Sequence, residues 1–221
     1  MRHDITGLSN AEFLELHGAP GRIGLAGGEL LIERAIRRVQ RHLRDDRSPS
    51  PWSHVFIIGP RREDGFRWIL ESDLEIHRRQ IRLGVQENRI SKYHDEQAFA
   101  NLAVLDVGLD AEATRRVLAA ALELMAGRAR YSLSELVGTL LALRHPRLRG
   151  KDNLLAKEGA VFCSAFVQHC FRAAGIDFAP GVTLKNCTPE HIATTAVPHT
   201  AWVLARSPSL PPLLGRRRKQ G

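Results

Sequence analysis

The chain has 221 residues, of which 43% are hydrophobic and 25% are charged, with 18 glycines and 11 prolines. This is an ordinary globular composition, and it excludes disordered, collagen-like and disulfide-scaffold proteins. The formal net charge of +8 favours attraction to an anionic surface such as cell wall or membrane. Because the basic residues are spread along the chain and only 6% of residues are aromatic, we expect no specific nucleic-acid binding.

The cysteine count and the apolar runs indicate where the protein works. Cys163, Cys170 and Cys187 are an odd set, so at least one thiol lies outside any intramolecular disulfide, which suits a reducing compartment. No apolar run has the length of a signal peptide or approaches the roughly 20 residues of a membrane span. The sequence predicts a soluble, cytoplasmic, unprocessed protein, with leaderless secretion as the alternative, and leaves the oligomeric state open.

The first predicted elements are a helix and a hairpin. Apolar residues recur with helical spacing over Glu29–Arg44 and predict a helix there. Two runs rich in β-branched and aromatic residues, Ser53–Gly59 and Phe66–Ser72, flank a polar turn and predict a β-hairpin. Further strands are predicted near Leu74–Leu83 and at Leu102–Val107. The apolar stripe of the predicted helix consists of Leu31, Ala35, Ile36, Val39 and Leu43.

Three helices are predicted in the second half. Asp110 has the character of an N-cap for a helix through Met125, with Gly127 as its stop. A second helix is predicted over Leu133–Leu141. The third and most apolar runs from about Ala160 to Ala174.

Two shorter elements and a tail follow. Thr188-Pro189-Glu190 predicts the start of a short helix, and Thr200–Ala205 a last strand. The predicted organisation is one domain, with a helical N-terminal segment over 1–50, a catalytic part over 51–207 and a solvated basic tail over 208–221.

The hairpin places a carboxylate near an imidazole. If Gly59 faces Phe66, His54 lies directly opposite Glu71 on one face of the sheet. Opposed Cβ atoms are about 5 Å apart, so Glu71 can hold one ring nitrogen of His54 and fix its tautomer, as a general base requires. Asp73 is the substitute acid if the register is shifted by two. A plain cross-strand ion pair is the alternative interpretation.

Cys163 is the candidate nucleophile. It stands in the first turn of the apolar helix, where free backbone N–H groups and the helix dipole stabilise a negative sulfur. The same N–H groups can receive a developing oxyanion. Cys170 is predicted to be buried mid-helix, and Cys187 precedes a helix cap without an obvious base. The competing interpretation of Cys163 is a small core residue.

The order of these segments resembles a known family. The segments are Ser53–Ile57 (SHVFI), Ile69–Ser72 (ILES), Phe162–Val167 (FCSAFV) and Ala174-Gly175. Together they resemble the YiiX-type permuted papain-like cysteine hydrolases, which are relatives of the NlpC-type amidases. In the ordinary order the cysteine helix precedes the histidine strand, whereas in the permuted group the histidine and acid strands come first. The resemblance covers roughly Pro51–Ala205.

The resemblance implies a fold and a reaction. The fold is α+β and circularly permuted papain-like (NlpC-like), with an antiparallel sheet packed against the cysteine helix. Cys163 is then the nucleophile, His54 the general base and acid, and Glu71 the residue that orients His54. The reaction is hydrolysis of an amide in a peptide, amidated or acylated substrate through a thioester, with esters and acyl transfer within reach of the same apparatus.

The substrate contacts and the cofactor expectations follow. Ser53, Ser164 and Tyr131 are the predicted substrate-binding residues, with a core aromatic as the alternative for Tyr131. Family members often carry a Gly-Asp strand before the histidine, whereas the segment Gly21–Gly28 has no Asp. The sequence contains no Gly-rich phosphate loop, HExxH or paired CxxC, so we expect neither a cofactor nor a metal.

Two other classes of function remain open. One is an antibacterial effector that cuts peptidoglycan or lipid and is delivered by a specialised secretion system. The other is a non-catalytic module that keeps the cleft to bind lipid or peptide.

Overall fold

A single seven-stranded sheet organises the described part of this computed structural model, which comprises residues 1–77, 80–127 and 163–206. The strands are β1 (Arg2–Ile5), β2 (Ile23–Gly28), β3 (His54–Arg61), β4 (Arg67–His77), β5 (Gln80–Arg89), β6 (Phe99–Asp106) and β7 (Thr200–Leu204). Their order in the sheet is β1-β7-β6-β2-β3-β4-β5. The neighbouring strands are antiparallel except for β1 and β7, which are parallel. The protein is therefore a mixed α+β structure.

Five α-helices and three single turns of 3-10 helix surround this sheet in the described residues. The α-helices are α1 (Asn10–His17), α2 (Leu31–Val39), α3 (Ala111–Ala126), α4 (Cys163–Arg172) and α5 (Pro189–Ala193). The 3-10 turns are Gln40–Leu43, Ile90–His94 and Leu184–Asn186. Within these described elements no helix has both the length and the hydrophobicity to cross a lipid bilayer.

The sheet separates two hydrophobic cores. Val55 and Ile57 of β3 pack with Phe166 of α4 on one side, whereas Phe56 and Ile58 pack into the other core with α1 and the turn Ile90–His94. Successive strand residues point to opposite faces, so this near-continuous apolar run reflects a strand buried on both sides. Its first residue, His54, lies where both cores end.

Several predicted elements are confirmed. The side chain of Asp110 accepts a hydrogen bond from the Ala113 N–H at 2.7 Å and caps α3, which ends at Gly127 as expected. Thr188 caps α5 through its hydroxyl. The last strand and the β3–β4 hairpin also form where expected. The predicted helix at Leu133–Leu141 and the tail over 208–221 lie outside the described residues.

The N-terminal predictions need correction. The segment 1–50 is not simply helical, because it supplies β1 and β2, and β2 lies at the centre of the sheet between β6 and β3. The predicted helix Glu29–Arg44 is α2 followed by a 3-10 turn, and no residue of α2 is buried. Leu31, on the apolar stripe of the helix, is 86% exposed.

The hairpin register also differs from the predicted one. Ile57 pairs with Leu70, so Gly59 does not face Phe66. The cause is the turn, which starts later than expected: the Arg62 N–H donates to the Phe66 carbonyl at 3.0 Å, and a bulge interrupts the ladder before that point. The register is shifted by two residues.

This shift changes the partner of the histidine. Glu71 is not directly opposite His54, and the same register continued to the start of β3 brings Asp73 level with His54 instead. Because a shift of two residues preserves the face of every side chain, His54, Glu71 and Asp73 still share one face of the sheet.

Candidate active site

Despite the shifted register, the structure brings His54 and Glu71 into contact. The Nε2 atom of His54 lies 2.9 Å from Oε2 of Glu71, a diagonal contact across the hairpin. The His54 ring stacks against Phe56 and Tyr93, with ring centroids 6.4 Å and 6.2 Å away. The imidazole is thus held in plane by aromatic rings and oriented by a carboxylate.

Glu71 is a buried carboxylate saturated with donors. Its side chain has no exposed surface. Asn88 Nδ2 and Lys92 Nζ each donate to Oε1 at 2.7 Å, while the Tyr93 hydroxyl donates to Oε2 at 2.5 Å. Burial alone would raise the pKa of Glu71, but the hydrogen bond from His54 and the charge of Lys92 hold it well below its usual range. Glu71 is therefore ionised, and it accepts the Nε2 proton of His54.

Asp73 and Lys92 form an outer layer around this contact. Asp73 Oδ1 lies 4.0 Å from Nδ1 of His54, and its other oxygen accepts from Lys92. Burial alone would lower the pKa of Lys92, but Glu71 and Asp73 raise it above the ordinary value. Lys92 thus neutralises part of the charge of two carboxylates placed beside one imidazole.

Cys163 completes the cluster from the opposite core. It is the first residue of α4, is half-buried, and packs at the edge of the core formed by α3 and α4. It lies beside His54, and its charge and a hydrogen bond with it are among the causes that raise the pKa of that imidazole. Since Nε2 of His54 is held by Glu71, Nδ1 is the ring nitrogen available to the sulfur.

The electrostatics favour a charged imidazole. Burial alone would lower the pKa of His54, but the charge of Cys163, the hydrogen bonds to Cys163 and Glu71 and the charge of Asp73 raise it well above its usual value. A charged imidazole beside a cysteine is the setting in which a thiol nucleophile is activated.

The other two cysteines have a different environment. Cys170 and Cys187 are buried, with 0% and 3% exposure. Burial raises the pKa of each thiol to about 12. The prediction that neither has the environment of a nucleophile is confirmed, because a buried neutral thiol is unreactive.

The predicted substrate contacts of two serines are corrected. Ser53 is 3% exposed, and its hydroxyl accepts from the Gly28 N–H at 2.9 Å. Ser164 is 2% exposed, and its hydroxyl donates to the Cys187 carbonyl at 2.7 Å. Both hydroxyls form hydrogen bonds with backbone groups in the interior, so they stabilise the positions of the neighbouring residues. Tyr131 lies outside the described residues.

Three residues of the cluster escaped the sequence analysis: Asn88, Lys92 and Tyr93. Asn88 lies on β5, paired with Ile69 of β4, while Lys92 and Tyr93 lie on the 3-10 turn that follows β5. The available sequence signal is a Lys-Tyr pair that follows β5, and β5 is the neighbour of β4, which carries Glu71. Without the β4–β5 register, that pair could not be connected to Glu71.

The arrangement has the parts of a nucleophilic acyl-transfer site. A sulfur on α4, an imidazole beside it and an ionised carboxylate that holds the imidazole are the groups such a site uses.

Comparison with known proteins supports the fold alone. No family model matches the chain, and no curated protein is significantly similar to it. Among solved structures, the chain is similar to the metalloprotein YiiX from Escherichia coli O157:H7, with a TM-score of 0.53 and 13% sequence identity. The match covers 86% of this chain and 98% of that one. The protein therefore has a YiiX-like fold.

Proposed function

We propose that the protein is a cysteine-dependent hydrolase on a circularly permuted papain-like fold. Its reaction is amide cleavage, as in an amidase or peptidase, and the same groups serve ester cleavage or acyl transfer. The observation that carries the proposal is the position of His54, whose Nε2 atom is held by Glu71 and whose pKa is raised by the neighbouring Cys163.

In the proposed mechanism a proton passes between Cys163, His54 and the leaving group. Nδ1 of His54 takes the thiol proton of Cys163, and Glu71 stabilises the resulting imidazolium through Nε2. The sulfur attacks the substrate carbonyl, and the N–H groups at the start of α4 stabilise the oxyanion. His54 then protonates the leaving group, a thioester forms, and His54 activates the water that hydrolyses it.

The role of Glu71 is to supply a fixed negative charge and to orient the ring of His54. It donates no proton, because its pKa is held below its usual range by His54 and Lys92 against the opposing effect of burial. A buried carboxylate with four donors cannot rotate, so the ring it holds keeps one tautomer and one direction.

A metal site fits the described residues less well than a cysteine nucleophile does. The structural neighbour is described as a metalloprotein. In residues 1–77, 80–127 and 163–206, however, no group of three or more His, Cys, Asp or Glu side chains is placed to hold a metal ion. The donors on Glu71 explain this, because its oxygens already accept from Asn88, Lys92 and Tyr93. No step of the mechanism is derived through a metal.

Selective alkylation tests the proposal. Iodoacetamide should label Cys163 in the native protein, because an imidazolium contacts its sulfur, and should leave the buried Cys170 and Cys187 unlabelled. Peptide mass spectrometry locates the label. Cys163→Ala should abolish labelling, and the matched variant Cys170→Ala should keep it.

Turnover provides the second arm of this test. A panel of amide, ester and thioester substrates should give product with the native protein and none with Cys163→Ala. Equal labelling of the two variants, or product formation unaffected by Cys163→Ala, would overturn the proposal. Labelling without turnover of any substrate would favour the binding-module alternative.

A further inference from the structure

Helix α2 presents an exposed stripe of mixed chemistry. Leu31, Arg34, Ala35 and Arg38 are spaced so that they share one helix face, and all four are exposed. The apolar residues lie at the start of the helix, where Leu30 is 70% and Leu31 86% exposed. Large apolar side chains so open to water, followed by arginines, are typical of helices that lie in a membrane interface.

An arginine-rich cavity lies beside this stripe. Its lining consists of Glu29, Arg34, Arg37, Arg38, Arg41, Arg47 and Pro49. Glu29 forms ion pairs with Arg34 and Arg37. In the described part of the chain, the other three arginines form no ion pair with an acid. The cavity therefore carries uncompensated positive charge.

The backbone at Arg47 is strained. Arg47 has a φ of 56°, and it is the sole non-glycine residue with positive φ among those described. A side chain other than glycine is disfavoured in this left-handed region, so the fold holds an arginine at the cavity rim against its backbone preference. Residues with backbone strain of this kind often lie at functional sites, where the side chain has a role in binding or catalysis.

The stripe and the cavity adjoin the candidate active site. Gly28, two residues before Leu30, is bonded through its N–H to Ser53, the neighbour of His54. The Glu33 carboxylate fills the space beside Gly28, where any Cβ would lie 2.0 Å from a Glu33 oxygen. The start of α2 is thus fixed to the strand that carries the histidine.

We propose that α2 docks the protein on an anionic phospholipid bilayer, with Leu30, Leu31 and Ile32 inserted among the acyl chains and Arg38, Arg41 and Arg47 bound to lipid phosphates. A guanidinium group can donate two hydrogen bonds at once to the oxygens of one phosphate. Each basic residue near an anionic leaflet also strengthens the electrostatic attraction of the protein to the membrane. Docking in this way brings the His54 end of β3 towards the lipid surface. This inference goes beyond the proposed reaction and does not depend on it, because binding is measured without turnover.

Vesicle sedimentation tests the docking. The protein should sediment with phosphatidylcholine–phosphatidylglycerol vesicles and not with phosphatidylcholine alone, and added salt should release it. The double variant Arg38→Glu/Arg41→Glu should bind at least about tenfold more weakly. The matched double variant Arg115→Glu/Arg116→Glu on α3 should bind as the native protein does.

Fluorescence tests the insertion separately. The emission of Leu31→Trp should shift to the blue when anionic vesicles are added, and that of Leu122→Trp, at an exposed apolar position on α3, should not. Equal binding of the two charge variants, no binding to anionic vesicles, or no shift for Leu31→Trp would overturn the docking. Displacement by inorganic phosphate at an ionic strength at which sodium chloride leaves the protein bound would do the same, because it would show a small-anion site. Loss of alkylation at Cys163 would affect only the proposed reaction.

Discussion

At the scale of single residues, the site depends on how completely Glu71 is solvated by the protein. A buried carboxylate is costly unless donors replace its lost water. Here Asn88, Lys92, Tyr93 and His54 supply four hydrogen bonds to its two oxygens. The charge is thereby stabilised in one fixed position. This arrangement gives His54 a negative partner inside the protein, which favours the charged imidazole.

Glu71→Gln tests this role. The amide carries no charge and places an NH2 group among donors, so we expect His54 to lose stabilisation of its charged form and the unfolding free energy to fall by about 1–3 kcal/mol. The alkylation rate of Cys163 at neutral pH should fall, because the weakened positive charge on His54 activates the neighbouring sulfur less. Timed labelling with mass spectrometry measures the alkylation rate, and urea unfolding measures the free energy of unfolding.

The control for this variant is Glu15→Gln. Glu15 is exposed and pairs with Arg61 on the surface, so its replacement should change neither the labelling rate nor the stability measurably. An unchanged alkylation rate in Glu71→Gln would remove Glu71 from the mechanism.

The residues of the site differ in how far the sequence predicts them. His54 and Cys163 stand at the beginning of a strand and of a helix, which local patterns indicate. Their convergence follows from packing of α4 on the sheet, which a pattern alone does not determine. Lys92 and Tyr93 were missed because their position depends on the β4–β5 register and on a 3-10 turn without a sequence signal.

At the scale of elements, a buried polar network ties the end of α2 to α5. Glu190 is 1% exposed and accepts from the Ser50 hydroxyl at 2.6 Å and from Arg44 at 3.3 Å. Gln40 accepts from the Glu190 N–H at 2.8 Å and donates to the Trp52 carbonyl at 2.8 Å. Trp52 lies two residues before the histidine, so the network fixes the approach to β3.

Gln40→Leu should show the strength of this network. Leucine has a similar size but leaves the Glu190 N–H without its partner in an interior that excludes water, which costs about 1–3 kcal/mol of unfolding free energy. Urea unfolding measures the loss. The matched variant Gln97→Leu, at an exposed position, should stay within about 0.5 kcal/mol of the native protein. Equal stability of the two variants would contradict the role assigned to the network.

Helix α2 shows why an element can be predicted while its orientation is not. The predicted helix forms, but its apolar stripe does not enter the core, because no residue of α2 is buried. The buried contacts of this segment are made instead by Gln40, after the helix, through hydrogen bonds. Leu31 is left in solvent. Periodicity reports that a face is apolar and does not report what covers it.

At the scale of the whole molecule, buried titratable groups determine how stability depends on pH. The pKa of Glu71 is lowered in the folded protein by His54 and Lys92, which outweigh the opposing effect of burial. Its contribution is therefore present above the ordinary glutamate pKa and is lost as the pH falls. The pKa of His54 is raised in the folded protein by Cys163, Glu71 and Asp73, despite the opposing effect of burial. Its contribution is present at low pH and lost as the pH rises through the folded value.

The buried thiols contribute to the loss of stability at alkaline pH, and this contribution is open to measurement. Burial raises the pKa of Cys170 and Cys187 from 9.0 to about 12, so the unfolded chain releases these protons first, and stability should fall as the pH rises from about 9 to about 12. At about pH 10 each thiol should remove on the order of 1 kcal/mol from the unfolding free energy. Urea unfolding between neutral and alkaline pH measures this slope. Cys170→Ala should lower stability at neutral pH by leaving a small cavity, yet it should flatten the alkaline decline. A decline as steep as that of the native protein would show that Cys170 does not contribute to it.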